Sequence, residues 1–212
     1  VSTPPATISA LRHGSQQWLR QARTARRLSW LSLAYMAAEG AVAITAAARA
    51  GSVALLGFGV DSVIEALASI IVVWRFTGTR TLSQGAERRA RKAVAVTYFL
   101  LAPYVAADAL RTFITAEHPD TTWSGIAVSA ASLVVMPLLG IAKQRIGARL
   151  GSAAVRGEGT ENLICACLAG AVLAGLLANT VLGWWWLDPA VALGIAAMAV
   201  HEGRETWEGE EG

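Results

Sequence analysis

Six long apolar stretches alternate along the chain with short connections that carry most of the charge. The first runs from Ser29 to Arg49, the second from Ser52 to Phe76, the third from Ala93 to Ile114 and the fourth from Trp123 to Ile141. A fifth runs from Ala153 to Val181, and the last from Leu187 to Val200, continuing through His201 toward Trp207. Most reach the roughly 20 residues that a helix needs to cross the bilayer hydrocarbon. The sixth has the shortest uninterrupted apolar part; Trp184, Trp185 and Trp186, just before it, read as an interfacial anchor. The pattern predicts an all-α integral membrane protein, a bundle of six transmembrane helices. Gly57, Gly59 and the run of small residues around Ala127, Ser129, Ala130, Ala131 and Ser132 predict close helix packing. Pro103 and Pro137 are expected to bend the third and fourth spans.

Composition agrees with this partition. Of 212 residues, 54% are hydrophobic and 16% charged, against about 25% charged in an ordinary soluble domain. The charge distribution then orients the bundle. Sixteen of the 18 basic residues fall on one side if the amino terminus is cytoplasmic, leaving only Arg49 and Arg111 near the outer ends. This bias predicts a multi-pass protein of the plasma or inner membrane with both termini cytoplasmic. Residues 1–28 read as a cytoplasmic tail and a basic interfacial segment, bearing Arg12, Arg20, Arg23, Arg26 and Arg27 against anionic headgroups. Basic charge set directly against a span fits membrane lipid, not nucleic acid. Residues 29–207 form the transmembrane domain, and 208–212 a short acidic tail. Cys165 and Cys167 lie two positions apart on one predicted helix and point in different directions, so no disulfide joins them.

Candidate chemistry lies in the acids within apolar segments. Asp61 and Glu65 interrupt the second span at i, i+4, which places both carboxylates on one helix face. Asp61 is roughly 15 Å along the helix from the outer end, near the membrane middle. Two anions at that depth call for a cation, protons or a water-filled path; the bland alternative is a polar packing contact. In the fifth span Glu161 and Cys165 repeat the i, i+4 spacing, with Glu158 one turn earlier and Asn162 on an adjacent face. Two helices can thus present Asp61, Glu65, Glu161 and Cys165 to one divalent metal. Zn(II) suits this oxygen-and-sulfur set best, while Fe(II), Co(II), Cd(II) and Mn(II) are also accommodated.

Rival roles stand beside these. Cys165 reads equally as a small buried residue. Glu158 reads as an entrance group or a partner of Arg156, and Asn162 as an interhelical hydrogen-bonding residue. Glu39 in the first span and Asp108 in the third are further intramembrane acids that read as path or supporting groups. His118, beside Glu117 and Asp120, and His201, beside Glu202, read as surface residues.

Together these features resemble the cation diffusion facilitator, or cation efflux, family. The second-span segment GSVALLGFGVDSVIEALASIIVVWR is similar to the family's D-x-x-x-D span, with Glu65 as the second acid. VRGEGTENLICACLAG occupies the place of H-x-x-x-D, so that Glu161 stands for His and Cys165 for Asp. GWWWLDPAVALGIAAMAVHEGRETW resembles the end of the fifth span and the sixth. The resemblance implies a homodimeric transporter, not an enzyme, that exports a divalent metal such as zinc or iron(II) from the cytoplasm. It further implies proton antiport, alternating access, and a site formed by Asp61, Glu65, Glu161 and Cys165. The expectation is a divergent member lacking the family's carboxy-terminal cytoplasmic domain. A non-transporting membrane metal sensor or scaffold is the alternative reading.

Overall fold

The computed structural model of the chain describes residues 5–50, 53–115, 123–182 and 187–208. Among them lie six α-helices: α1 (Pro5–Ala50), α2 (Val53–Arg75), α3 (Gln84–Thr115), α4 (Trp123–Leu150), α5 (Ala153–Leu182) and α6 (Leu187–Glu208). A short 3-10 turn, Gly78–Leu82, joins α2 to α3. Each expected span falls on one of these helices, and among the described residues three stretches are long and apolar enough to cross a membrane: Gln16–Thr45, Gln84–Thr115 and Ile126–Leu150.

Several helices outrun their apolar stretches. The basic segment and the first span form one helix of 46 residues, because no glycine or proline interrupts residues 15–39. The third helix begins at Gln84, so Arg88, Arg89, Arg91 and Lys92 ride on its first turns rather than on a loop. Both Pro103 and Pro137 sit inside continuous helices. The Trp184–Trp186 anchor, His118 with Glu117 and Asp120, and the tail residues Glu210 and Glu211 lie outside the described residues.

The most extensive packing joins α4 to α5, α1 to α2 and α3 to α6; α5 also meets α2, α3 and α6. The α4–α5 hairpin shows how local chemistry sets its register. Gly151 takes φ +63°, a conformation glycine adopts without steric penalty. It ends α4 with paired bonds from Ser152 N to Gly147 O (2.9 Å) and from Gly151 N to Ala148 O (3.3 Å). The Ser152 hydroxyl then accepts from Val155 N (3.3 Å), starting α5 immediately. Farther along, a Cβ on Gly140 would lie 2.8 Å from Gly159 O, and one on Gly159 would lie 2.9 Å from Gly140 O. The two backbones touch there, as small residues permit between membrane helices.

Ionisable and polar side chains share the interior with an apolar core, while large apolar residues cover much of the outside. Ser29, Glu39, Asp61, Glu65, Thr97, Ser132, Lys143, Glu158, Glu161 and Asn162 are buried, whereas Trp30, Leu31, Ile70, Leu100, Val134 and Leu138 are exposed. Exposed apolar surface on this scale is unusual in a water-soluble fold, whereas lipid receives it.

One end of the bundle is tied by a single acid. Glu87, near the start of α3, pairs with Arg75 of α2 (2.8 Å) and accepts from Ser152 Oγ (2.8 Å) and Ala154 N (3.3 Å). At the same end Trp18 donates to Leu150 O (3.3 Å) and Arg26 to Phe76 O (3.3 Å), docking α1 onto both corners. Several cations of this end stack on aromatic rings: Arg80 and Arg89 on Trp74, and Lys92 on Trp207.

Candidate metal site

Asp61 and Glu65 project from one face of α2, and that face meets α5 where Cys165 is buried. One donor atom from each of these three residues lies within 4.8 Å of the others. All three are nearly inaccessible to solvent. Asp61 Oδ1 and both carboxylate oxygens of Glu65 have no hydrogen-bond partner among the described residues. Buried carboxylate oxygens are ordinarily satisfied, and a carboxylate at the centre of a membrane helix costs about 2.5–3.5 kcal/mol on insertion scales. Unsatisfied donors converging with a thiol are what a cation requires. Zinc binds carboxylate oxygen at about 2.0–2.2 Å and thiolate at about 2.3 Å, so modest side-chain rotation brings the three donors around one ion.

Glu161 is also buried, one turn before Cys165 on α5. Its Oε1 accepts from Thr97 Oγ1 of α3 (2.5 Å), while its Oε2 has no partner among the described residues. It therefore stands beside the three-residue cluster, with one free oxygen and one held by α3. Glu39 of α1 is tied from two sides. Ser62 of α2 donates to its Oε2 (3.1 Å), and Ser132 of α4 donates to its Oε1. Tyr35 hydrogen-bonds to Ser132 (3.1 Å), completing a polar bridge over α1, α2 and α4. Asp108 is exposed on α3, one turn before Arg111. His201 is exposed on α6, pairing with Glu205 (3.2 Å).

Glu158 and Asn162 share a partner, Lys143 of α4. Its Nζ donates to Glu158 Oε1 and to Asn162 Oδ1, both at 2.7 Å, and its side chain is 0% exposed. Ser29 of α1 donates to the other Glu158 oxygen (2.6 Å). Arg156, the partner expected for Glu158, does not displace this arrangement. A signal for Lys143 existed in the spacing: Gly140, Lys143 and Gly147 fall at i, i+3 and i+7, one face of α4. That face packs on α5, so a lysine between two glycines is drawn into the interface. Ser62, Ser132 and Thr97 had no comparable signal, because isolated hydroxyl residues are ordinary in membrane helices.

A model of the cation efflux transmembrane domain matches residues 29–207 of the chain. The chain belongs to the cation efflux family. The all-α, six-helix bundle, without a strand among the described residues, is the fold of that transmembrane domain. Cation efflux proteins form a family of transporters rather than enzymes, in keeping with the absence of any catalytic expectation. Among similar proteins, the uncharacterized transporter sll1263 of Synechocystis is 25% identical over 182 residues, covering 82% of this chain and 59% of its own. Transmembrane protein 163 of Xenopus laevis is 25% identical over 180 residues, covering 83% of this chain and 63% of its own. The chain thus spans about three fifths of the length of these relatives.

Proposed function

We propose that this cation efflux protein carries a divalent transition metal across the membrane, with Asp61, Glu65 and Cys165 as its central ligands and Glu161 as the fourth. The observation that carries this reading is the convergence of two orphaned carboxylates and a thiol from α2 and α5 inside the apolar bundle. A metal arriving there replaces protons on the carboxylates and thiol, and its charge offsets the penalty of holding two anions in the bilayer. Loss of the ion on the far side and return of protons completes a proton-for-metal exchange. Glu39 and Asn162 supply polar groups along the route, and Asp108 lies at its edge. Export from the cytoplasm, by alternating exposure of the site in a homodimer with both termini cytoplasmic, is the direction we assign. Zinc and iron(II) are the cargoes we favour, because the donor set mixes oxygen with a soft sulfur.

The test is metal flux in proteoliposomes under an imposed proton gradient, comparing Zn(II), Fe(II), Mn(II) and Cd(II). Flux is expected for at least one ion, and Glu65→Ala should lower it at least tenfold while the protein remains folded. Folded protein that moves none of the four ions in either direction overturns the transport reading. Saturable binding without flux would instead mark a membrane metal sensor or scaffold.

A further inference from the structure

Among the described residues Lys143 is the fully buried cation that the transport reading leaves without a task. Its ammonium is held by a carboxylate oxygen and an amide oxygen at 2.7 Å each, and the same carboxylate is held from behind by the Ser29 hydroxyl at 2.6 Å. Two oxygens from α5 thus hold a positive charge supplied by α4, and α1 braces the carboxylate from its other side. The contrast with the neighbouring cluster is direct. Glu158 has both oxygens satisfied, whereas Glu65 has neither. Glu158 and Cys165 are seven residues apart on α5, about 10 Å at helical rise, so the two groups lie in series along one helix.

Stability gives little reason for an ammonium in this place. Desolvating a buried ion pair costs about as much as the pairing returns, and apolar residues of similar volume hold helices together as well or better. The α4–α5 contact is already made by Gly140 and Gly159, where the backbones touch. A buried lysine there must be explained by its charge.

We propose that Glu158 and Asn162, with Ser29 bracing the carboxylate, form a second cation site, and that Lys143 is its tethered resident cation. The ammonium occupies the place of a divalent ion, so an ion on this route finds its charge already met and does not lodge. Its residence is deferred to the Asp61–Glu65–Cys165 cluster, and the chain holds one exchangeable divalent ion instead of two. This function for Lys143 rests on the metal-transport reading, but the existence of the masked site does not. All-oxygen donors mark the masked site as hard, suited to Mn(II) over softer ions.

The experiment counts Mn(II) bound to the whole chain in lipid nanodiscs by equilibrium dialysis. The chains compared are the unaltered protein, Lys143→Ala, and Lys143→Met combined with Glu158→Gln. Lys143→Ala should bind one more Mn(II) per chain than the unaltered protein, and the double variant should not. Added Mn(II) should also raise the melting temperature of Lys143→Ala by more than it raises that of the unaltered chain. Equal counts in folded Lys143→Ala and unaltered protein overturn the proposal. So does a Lys143→Ala chain that fails to fold with and without Mn(II) while the double variant folds, because a free cation then does not replace the tethered one. Zero Mn(II) on the unaltered chain and one on Lys143→Ala would still uphold the masked site, because the thiol of the central cluster disfavours Mn(II).

Discussion

Cys165 separates this site from one made only of hard donors. It is buried against Met36 and Met136, while Cys167, two positions on, is exposed; the i, i+2 divergence read from spacing is what the helix produces. A thiolate favours soft ions, so Cys165→Ser should lower Cd(II) and Zn(II) flux relative to Mn(II), with the ratio falling about tenfold, equivalent to about 1.4 kcal/mol. Competition flux with two ions in one vesicle preparation measures this directly. An unchanged ratio would show that Cys165 is only packing. The acids of α2 were legible as a pair because i, i+4 geometry is intrinsic to the helix. Lys143 carried only the weak signal of its flanking glycines, since a basic residue two turns from a helix end ordinarily reaches water, and its burial depends on which α5 residue lies opposite.

Helices α4 and α5 behave as one hairpin, and its register decides what Lys143 meets. The left-handed Gly151 and the Ser152 cap leave no slack between the helices, so the glycine contact and the Lys143–Glu158 pair follow from one turn. The contact can be probed with minimal change. In Gly159→Ala the new methyl must push against Gly140 O at 2.9 Å and Gln144 N at 3.0 Å, neither of which yields without moving backbone. Overpacking of this kind typically costs about 1–3 kcal/mol, to be seen as a lower unfolding temperature in detergent. Gly194→Ala on α6, where nothing lies within 4 Å, is the control. Relief of glycine's backbone entropy should leave it neutral or stabilised by up to about 1 kcal/mol. Equal melting of both variants would deny the α4–α5 contact its tightness. The helix cores were legible from hydropathy, whereas their polar extensions were not: α3 from Gln84 and α1 before Ser29 run on past the apolar signal through residues such as Arg, Gln, Glu and Ala that favour helix without being apolar enough to mark it.

Across the whole molecule, the basic residues gather toward the end that holds the α2–α3 and α4–α5 turns, and part of that charge is spent on contacts within the protein. Arg75 pairs with Glu87 while Arg80, Arg89 and Lys92 cover tryptophan rings. The remaining exposed cations, including Arg20 and Arg23 of α1, suit contact with anionic headgroups. Six crossings require both ends of the chain on the same face of the membrane. With Cys165 and Cys167 replaced by alanine, Gln16→Cys and Glu205→Cys, each at an exposed position, should react with an impermeant thiol reagent from the same side, which we assign as cytoplasmic. Labelling from opposite sides would rule out an even number of spans.

By itself the order of residues determined everything that acts along one helix: the apolar lengths, the charge bias, the shared face of Asp61 and Glu65, and the parallel spacing of Glu161 and Cys165. Those properties follow from helical rise and period, which need no partner. Which donors meet was decided only by packing. Tertiary structure joined Cys165 to Asp61 and Glu65, gave one Glu161 oxygen to Thr97, tied Glu39 to α2 and α4, and closed Glu158 and Asn162 over Lys143. The physical reason is that a hydrogen bond or a coordination site between helices depends on the rotation and register of both, and no repeat within either helix encodes them.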